Sequence, residues 1–428
     1  MMTSRGVDFA FSFYERYRHR QEGRLDRDVR RPDLLLGWAS RCGLMPPADM
    51  TTLITGSKGK GSVARLTAWG LGHYGVGPIG LLVSPEECSH LDRIRIDNRP
   101  IPNGVFEEII DQIRGDLDDL QNAAPDHYYL PPTAVFLAVA LVWWRAQGVS
   151  ACVIEGGRGA RWDEIGCIPA RLGIVTGVLP EHLDKLGPTQ ADVAADKLSL
   201  AFGVNELLCP EELQADAAFA LPAVQRSKLR YVATPHGSGG WYPVAHVLAK
   251  AACATLLGRS VELPEWSVPS FCRLVLRQTP NGQPCCCEVL LDGSVLTACF
   301  APRLADATLC SHPAVVMGLS DNKDTAGLLA AALSMTAGSV YAVHLHSGCG
   351  HVGSQWLTGS AAQVTTIGIL DVVKGASPEF ADTISDLMCA HRTLVFVGVQ
   401  TFLRSVRNLL SLGIAEPLAT RPVLADAI

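Results

Sequence analysis

Apolar positions in the first part of the chain alternate between short β-branched runs and longer stretches with helical spacing. The short runs predict strands at 51–55, 79–83, 150–154 and 172–178, with a weaker strand at 229–233. The longer stretches predict helices at 62–73, 104–120, 132–147, 189–203 and 242–257. Because alternating strands and helices build parallel sheets, we predict an α/β domain with a mostly parallel sheet.

The segment before the first strand has a different character. It is rich in arginine and has apolar residues at helical spacing, which predicts an entry segment of helices. Phe9, Phe13 and Tyr14, and later the leucines at 34–36, form faces that need a packing partner.

A second set of strands and helices follows a proline-bearing stretch, Leu263-Pro264-Glu265-Trp266. Strands are predicted at 287–292, 313–319, 339–343 and 393–398, separated by helices such as 326–336. We therefore predict two domains, residues 1–264 and residues 265–428, the second a smaller α/β unit. No fixed-period repeat or long flexible linker is found in the sequence.

Composition narrows the function classes. The 428 residues are 48% hydrophobic and 18% charged, which describes a packed globular protein. A net charge of -6 gives no global basic field, so nucleic-acid binding is not expected. Arg145 and Gln147 interrupt the most apolar helix, and we expect no membrane span. The length and the opening residues make the 14 cysteines more compatible with a reducing cytoplasm than with a disulfide framework.

A glycine-rich turn, residues 56–62, stands between the first predicted strand and the next helix. Its residues are Gly56, Ser57, Lys58, Gly59, Lys60, Gly61 and Ser62. Bare backbone N–H groups and a helix N-terminus at such a place can cradle phosphates. Lys60 would reach the terminal phosphates and Ser62 could bind magnesium, although the spacing departs from the strict GxxxxGK[ST] pattern. The alternative is a glycine-rich turn with solvated lysines.

Three further polar residues follow predicted strands. Glu155, His182 and Ser84 come at or just after strand ends, and open parallel sheets bind ligands at that edge. A carboxylate there can hold the cation that bridges nucleotide phosphates. The alternatives are a loop carboxylate paired with Arg158 or Arg161, a structural or solvated histidine, and an ordinary Ser-Pro turn.

Together, these blocks resemble the Mur ligase superfamily, most closely its folylpolyglutamate synthase and dihydrofolate synthase branch. The phosphate loop is similar to the family's Gly-Thr-Asn-Gly-Lys-Gly-Ser, and Val83-Ser84-Pro85 with residues 92–96 is similar to its Thr-Ser-Pro-His and Glu-Arg-Ile segment. The most specific block, 155–163, matches the family's Glu-Val-Gly-Leu-Gly-Gly-Arg-Leu-Asp at five positions: Glu155, Gly157, Gly159, Arg161 and Asp163. The Glu181-His182 and Asp196-Lys197 pairs and the second-domain segments 291–293 and 317–324 extend the resemblance over roughly residues 30 to 412.

The resemblance implies a three-layer P-loop ATP-binding domain joined to a Rossmann-like domain, with the active site in the cleft. It further implies an ATP-dependent ligase that activates a carboxylate as an acyl phosphate and joins it to an amino acid, by expectation glutamate. The implied cofactors are ATP and Mg²⁺, and the expected partners are small molecules, in a monomer or small homo-oligomer. The implied site residues are Lys60 and Ser62 at the phosphates, Ser62, Ser84, Glu155 and His182 at magnesium, Lys60, His182 and Lys197 in catalysis, and Arg273 and Asp292 over the nucleotide. In the family, the position of Lys197 is often carbamylated and supports a second metal; an unmodified surface lysine is the alternative.

Departures from the family pattern bear on the substrate. Residues 292–297 read Asp-Gly-Ser-Val-Leu-Thr where the folate branch has Asp-Gly-Ala-His-Asn-Pro. Glu86 replaces the histidine of Ser-Pro-His, Lys58 replaces asparagine, and Phe136-Leu137 stands for Phe-Glu. The altered loops leave open a poly-γ-glutamate synthase-like or natural-product amide ligase and, from another class, a catalytically weak ATP-binding scaffold.

Four other features are given ordinary interpretations. The cluster of His344, His346, Cys349 and His351 lacks a recognised zinc spacing, and a metal-free loop is expected. The cysteines at 285–287 are expected to be buried small hydrophobes, and the tryptophans at 143–144 to pack within a helix. The arginines are read as a solvated helical face: 16, 18, 20, 24, 27, 30 and 31.

Overall fold

The computed structural model describes residues 5–17, 19, 22–84, 86–125, 128–234, 241–264, 271–292, 313–319, 325–335, 339–346, 364–371 and 376–412. Its helices are α1 (Arg5–Tyr17), α2 (Asp26–Val29), α3 (Pro32–Arg41), α4 (Lys60–His73), α5 (Asn103–Ala123), α6 (Pro132–Ala146), α7 (Leu183–Leu186), α8 (Gln190–Leu198), α9 (Gln214–Ala220), α10 (Ala223–Arg226), α11 (Trp241–Leu257), α12 (Thr325–Met335), α13 (Pro378–Ala390) and α14 (Gln400–Leu409). Short 3-10 helices lie at Ala48–Met50, His90–Arg93, Glu164–Cys167, Ser199–Phe202 and Glu211–Leu213.

The strands form two sheets. They are β1 (Thr51–Thr55), β2 (Ile79–Leu82), β3 (Ile94–Ile96), β4 (Arg99–Pro100), β5 (Ala151–Glu155), β6 (Ala170–Val175), β7 (Val204–Pro210), β8 (Leu229–Val232), β9 (Phe271–Gln278), β10 (Pro284–Asp292), β11 (Ala314–Gly318), β12 (Val340–His346), β13 (Thr365–Asp371) and β14 (Thr393–Gly398). The first sheet has the order β4-β3-β2-β5-β1-β6-β7-β8 and the second β13-β12-β11-β14-β10-β9.

Both sheets are mostly parallel. In the first, the neighbouring strands β2, β5, β1, β6, β7 and β8 pair in parallel, whereas β3 pairs antiparallel with both β2 and β4. In the second, β9 pairs antiparallel to β10 and the other described pairs are parallel. The predicted α/β class is therefore confirmed, whereas the division at 264/265 stays a prediction.

The central strands are buried on both faces, which explains their continuous apolar runs. In β1, Leu53 joins the core beneath α1, α3, α5 and α6, whereas its neighbour Ile54 joins the core beneath α4 and α11. Ile154 and Val153 of β5 divide in the same way. The first sheet therefore lies between two helical layers, and the carboxyl ends of β1, β5 and β6 meet at one edge.

Several sequence predictions need correction. The helix predicted at 189–203 ends as α8 at Leu198 and continues as a 3-10 turn, Ser199–Phe202. Five strands were not predicted: β3, β4, β7, β9 and β13. The first two have three and two residues, and only one of the seven residues of β13 is buried, so none of these three carries the long apolar run that marks a buried strand.

The alternative interpretations also have outcomes. Arg30 is buried and pairs with Glu164, so it does not belong to a solvated face. Cys287 is buried, whereas Cys286 is exposed, so burial of all three cysteines was wrong. None of the cysteines whose side chains are described forms a disulfide. Trp144 packs within α6 as expected. None of the described helices has the length and apolarity needed to cross a membrane.

Candidate active site

The phosphate loop joins β1 to α4 and is fixed against the end of β6. Ser57 N donates to the carbonyl of Gly177 at 2.9 Å, and the Thr176 hydroxyl donates to the carbonyl of Lys58 at 2.5 Å. Gly56 has φ +132°, and a Cβ there would lie 2.1 Å from Thr176 Oγ1. Only glycine fits here, because any other residue would be strained at this φ and its Cβ would overlap Thr176. The loop therefore delivers the N-terminus of α4, which begins at Lys60, to the ligand edge of the sheet.

Two lysines converge on one carbonyl of this loop. Lys60 Nζ and Lys197 Nζ each donate to the carbonyl of Gly56 at 3.1 Å. Lys197 is only 1% exposed, so the alternative of a surface lysine is wrong. Burial, followed by the charge of Lys60, lowers the pKa of Lys197 to about 8, against the opposing effect of Glu181. The loop is thus bordered by cations suited to nucleotide phosphates.

Glu155 faces the start of α4 from the end of β5. It is 5% exposed, and its Oε2 accepts the backbone N–H of Ser84 at 3.0 Å. A Cβ on Gly61 would lie 3.2 Å from the same oxygen, which places the carboxylate beside the first turn that carries Ser62. Burial raises the pKa of Glu155, while the charge of Lys60 and the Ser84 N–H oppose this rise. A divalent cation would fit this carboxylate, because hard oxygen ligands are what magnesium prefers.

The loop after Glu155 is held by its own hydrogen bonds. The carboxylate of Asp163 accepts the N–H groups of Gly157 and Arg158, each at 3.1 Å. The Arg158 side chain pairs with Asp26 of α2. Arg158 is therefore not the partner of Glu155, and Arg161 lies over the ring of Trp162. These contacts leave the Glu155 carboxylate directed at the phosphate loop.

His182 lies on the β6 side of the loop with φ +53°, just before α7. Burial, helped by Arg158, Lys197 and Lys60 and opposed by Glu181, lowers the pKa of His182 to about 4. The imidazole is therefore neutral near pH 7, the form that binds a metal. In the part of the chain that the structure describes, no three His, Cys, Asp or Glu side chains gather at a metal-binding distance. The structure thus brings Ser84 to Glu155, whereas His182 lies with Glu181 and the lysines.

A network around Glu86 was not predicted as functional. Arg93 donates to Glu86 Oε2 from Nε at 2.7 Å and from Nη2 at 2.5 Å, and its guanidinium lies 5.0 Å from the centre of the Phe136 ring. Burial lowers the pKa of Arg93 to about 10. Arg404 of α14 also donates to Glu86. The signal in the sequence was the replacement of the family's histidine by Glu86, although one of its two arginine partners, Arg404, lies far along the chain.

Arg93 also borders a small cavity that Glu155 and Ser84 line as well. Phe136 and Leu137, the residues that replace the family's Phe-Glu pair, line its wall. Glu164 and Thr133 also line the cavity; Glu164 forms a buried ion pair with Arg30 at 2.8 Å and accepts a hydrogen bond from the Thr133 hydroxyl. The altered sequence positions therefore lie beside the candidate cation site.

In the second sheet the predicted residues are only partly described. Arg273 and Asp292 lie in β9 and β10, paired opposite Leu290 and Phe271, but their side chains are outside the described part. Residues 293–297 and 320–324 also fall outside it, as do Cys349 and His351 of the proposed metal-free cluster.

No family model matches the sequence. Among curated proteins, a folylpolyglutamate synthase of Lacticaseibacillus casei is 30% identical over 147 residues, which are 34% of this chain and 34% of that protein. A dihydrofolate synthase/folylpolyglutamate synthase of Escherichia coli is 23% identical over 162 residues, 38% of this chain and 36% of that protein. A probable bifunctional folylpolyglutamate synthase/dihydropteroate synthase of Haloferax volcanii is 31% identical over 148 residues, 35% of this chain and 17% of that protein. The matched segment thus spans about a third or less of each of these relatives.

Solved structures match over nearly the whole chain. Mycobacterium tuberculosis folylpolyglutamate synthase complexed with ADP and AMPPCP has a TM-score of 0.68 at 18% identity, covering 94% of this chain and 99% of that one. A folylpolyglutamate synthase of Thermotoga maritima has a TM-score of 0.67 at 17% identity, covering 95% and 98%. The fold is that of the folylpolyglutamate synthases, and the resemblance inferred from the sequence motifs is confirmed.

Proposed function

We propose that this chain is an ATP-dependent carbon–nitrogen ligase that joins the carboxylate of a small acceptor to the amine of an amino acid, by expectation glutamate. The observation that carries the proposal is the meeting of Lys60, Lys197 and Glu155 around one phosphate loop. A folate-like acceptor is favoured by the relatives' names, and an ADP-forming reaction in the cytoplasm is part of the proposal. The alternative is a ligase that adds glutamate residues repeatedly, and the length of the product distinguishes this reaction from a single addition.

The reaction has two group transfers. A carboxylate oxygen of the acceptor attacks the terminal phosphorus of ATP, the bond to the bridging oxygen breaks, and ADP leaves. The amine nitrogen then attacks the acyl carbon, the C–O bond breaks, phosphate leaves and the nitrogen loses a proton. Phosphorylation is needed because a free carboxylate lacks a good leaving group.

The residues of this chain supply charge and position. The loop N–H groups and Lys60 would hold the phosphates and offset the charge that develops between phosphorus and oxygen. Mg²⁺ fits the donors on the Glu155 side, with Ser62 and Ser84 as oxygen ligands, and when bound it would polarise the phosphoryl group. Neutral His182 and the buried Lys197 border the other side of the loop. Arg273 and Asp292 are proposed to close over the nucleotide from the second sheet.

Phosphate release with magnesium and ATP tests the proposal. Folates and other carboxylates are screened against the standard amino acids, with Lys60→Ala and His182→Ala as inactive variants. Lys250→Ala is the matched control, because this lysine of α11 pairs with Glu262 and not with the phosphate loop. Release that needs both a folate and glutamate supports the full proposal, and release with another acceptor keeps the mechanism but changes the substrate.

The opposite outcome is also defined. Tight ATP binding without release for any acceptor pair would contradict the ligase and favour a nucleotide-binding scaffold. Mass spectrometry of the product separates a single addition from a poly-γ-glutamate-like chain.

A further inference from the structure

Both carboxylate oxygens of Glu181 are occupied by lysines. Its Oε1 lies 3.4 Å from Lys197 Nζ, and its Oε2 lies 3.6 Å from Lys58 Nζ. Glu181 is therefore an anion held between ammonium groups, at the β6 side of the phosphate loop.

The charge at this side already favours phosphate without another metal ion. Lys197 and Lys58 each pair with one oxygen of Glu181, and Lys60 shares the Gly56 carbonyl with Lys197, so three ammonium groups surround one carboxylate here. A divalent ion gives up its hydration shell reluctantly and needs anionic oxygen ligands. The carboxylate that such an ion would use already pairs with two ammonium groups, and the ion would be repelled by them. A second divalent cation therefore does not fit these residues.

The sequence change responsible is Lys58. The related phosphate loops have a neutral asparagine at this position, and an asparagine would leave Glu181 Oε2 without an ammonium partner. Lysine is a compact, hydrated point charge on a flexible stem, and it binds phosphate oxygens readily. Lys58 lies inside the loop that would cradle the phosphates, so its ammonium group, like that of Lys60, would lie beside a bound phosphate.

We propose that the ammonium group of Lys58 takes the place of a second divalent cation, so that the nucleotide binds with one divalent ion, on the Glu155 side. The proposal rests on the ligase function above and specifies its charge arrangement. Lys58 is the residue that neutralises phosphate charge on the Glu181 side. Lys197 keeps its ammonium form as the bridge between Glu181 and the Gly56 carbonyl.

The experiment counts ions and needs no acceptor or turnover. Full-length protein is titrated with Mn²⁺ and the non-hydrolysable analogue AMPPCP, with protein in excess, and bound Mn²⁺ is counted by electron paramagnetic resonance. The wild type is expected to hold one Mn²⁺ per bound AMPPCP. Lys58→Asn is expected to bind AMPPCP about tenfold or more weakly at one equivalent of Mn²⁺, because a charged hydrogen bond is lost. Excess Mn²⁺ should restore part of this affinity in the variant.

Lys250→Asn is the matched control for loss of one positive charge, since Lys250 pairs with Glu262 away from the loop. It should bind like the wild type, and thermal unfolding checks that both variants are folded. Two Mn²⁺ ions per AMPPCP in the wild type, or a Lys58→Asn affinity equal to that of Lys250→Asn, would overturn the role of Lys58. A wild type that binds no AMPPCP at any Mn²⁺ concentration would instead overturn the ligase proposal itself.

Discussion

Replacement of Gly56 by alanine tests the geometry of the phosphate loop. The residue has φ +132°, and its new Cβ would lie 2.1 Å from Thr176 Oγ1 and 2.7 Å from Thr176 N. The backbone conformation costs about 1–3 kcal/mol for a side-chain residue. The overlap adds about 1–3 kcal/mol, because the backbone nitrogen of Thr176 cannot turn away as a side chain could. We expect Gly56→Ala to destabilise the domain by roughly 4 kcal/mol.

The control separates backbone strain from overlap. Gly75 also has a positive φ, +84°, but a Cβ there would meet no atom within 4 Å. Gly75→Ala should cost about 1–2 kcal/mol, from the left-handed conformation alone. Thermal unfolding measures both variants, and a difference of about 2–3 kcal/mol corresponds to roughly 4–12 °C for a domain of this size.

Nucleotide binding gives the second readout. Relief of the overlap must move the Gly56 carbonyl, which accepts hydrogen bonds from Lys60 and Lys197, so Gly56→Ala should bind ADP much more weakly. Gly75→Ala should bind it normally. Equal stability of the two variants, with unchanged ADP affinity in Gly56→Ala, would refute this account of the loop.

Three other predictions concern buried charges. Arg30→Met should cost about 3–5 kcal/mol in chemical denaturation, because Glu164 is left charged and buried, while Arg30→Met with Glu164→Leu should cost far less; equal costs would contradict this. Lys197→Met should abolish ligation yet stabilise the fold at pH 7 by up to about 3 kcal/mol, because the folded pKa is lowered from 10.5 to about 8. Between these two pH values the unfolded wild type binds more protons at this lysine than the folded wild type, so the stability of the wild type rises with pH. The extra stability of Lys197→Met should therefore shrink above pH 8, and a pH-independent difference would contradict this account. Arg404→Gln should remove the ion pair between α14 and Glu86, which links the part of the chain around the second sheet to the first. Calorimetry should then resolve two unfolding transitions in the variant, whereas the wild type should unfold in one.

The sequence by itself determined the strand–loop–helix units and therefore much of the site. The β-branched run 51–55, followed by a glycine-rich turn, predicted a loop with Lys60 before a helix at 62–73, and the helix in the structure begins two residues earlier, at Lys60. Glu155 was placed at a strand end by the same local pattern. Such features are readable because a strand buried on both faces carries an unbroken run of apolar and β-branched residues, and a phosphate loop needs glycine at fixed places. Short and exposed strands such as β4 and β13 carry no such pattern.

The tertiary structure alone decided which charges meet. Nothing local shows that Lys197 is buried against the Gly56 carbonyl, 141 positions away, or that Glu181 is shared by two lysines. Arg404 lies 318 positions from Glu86, and periodicity carries no information over such distances. Because burial and neighbouring charge set the pKa of a buried group, the protonation of Lys197 and His182 is a property of the folded chain and not of its motifs.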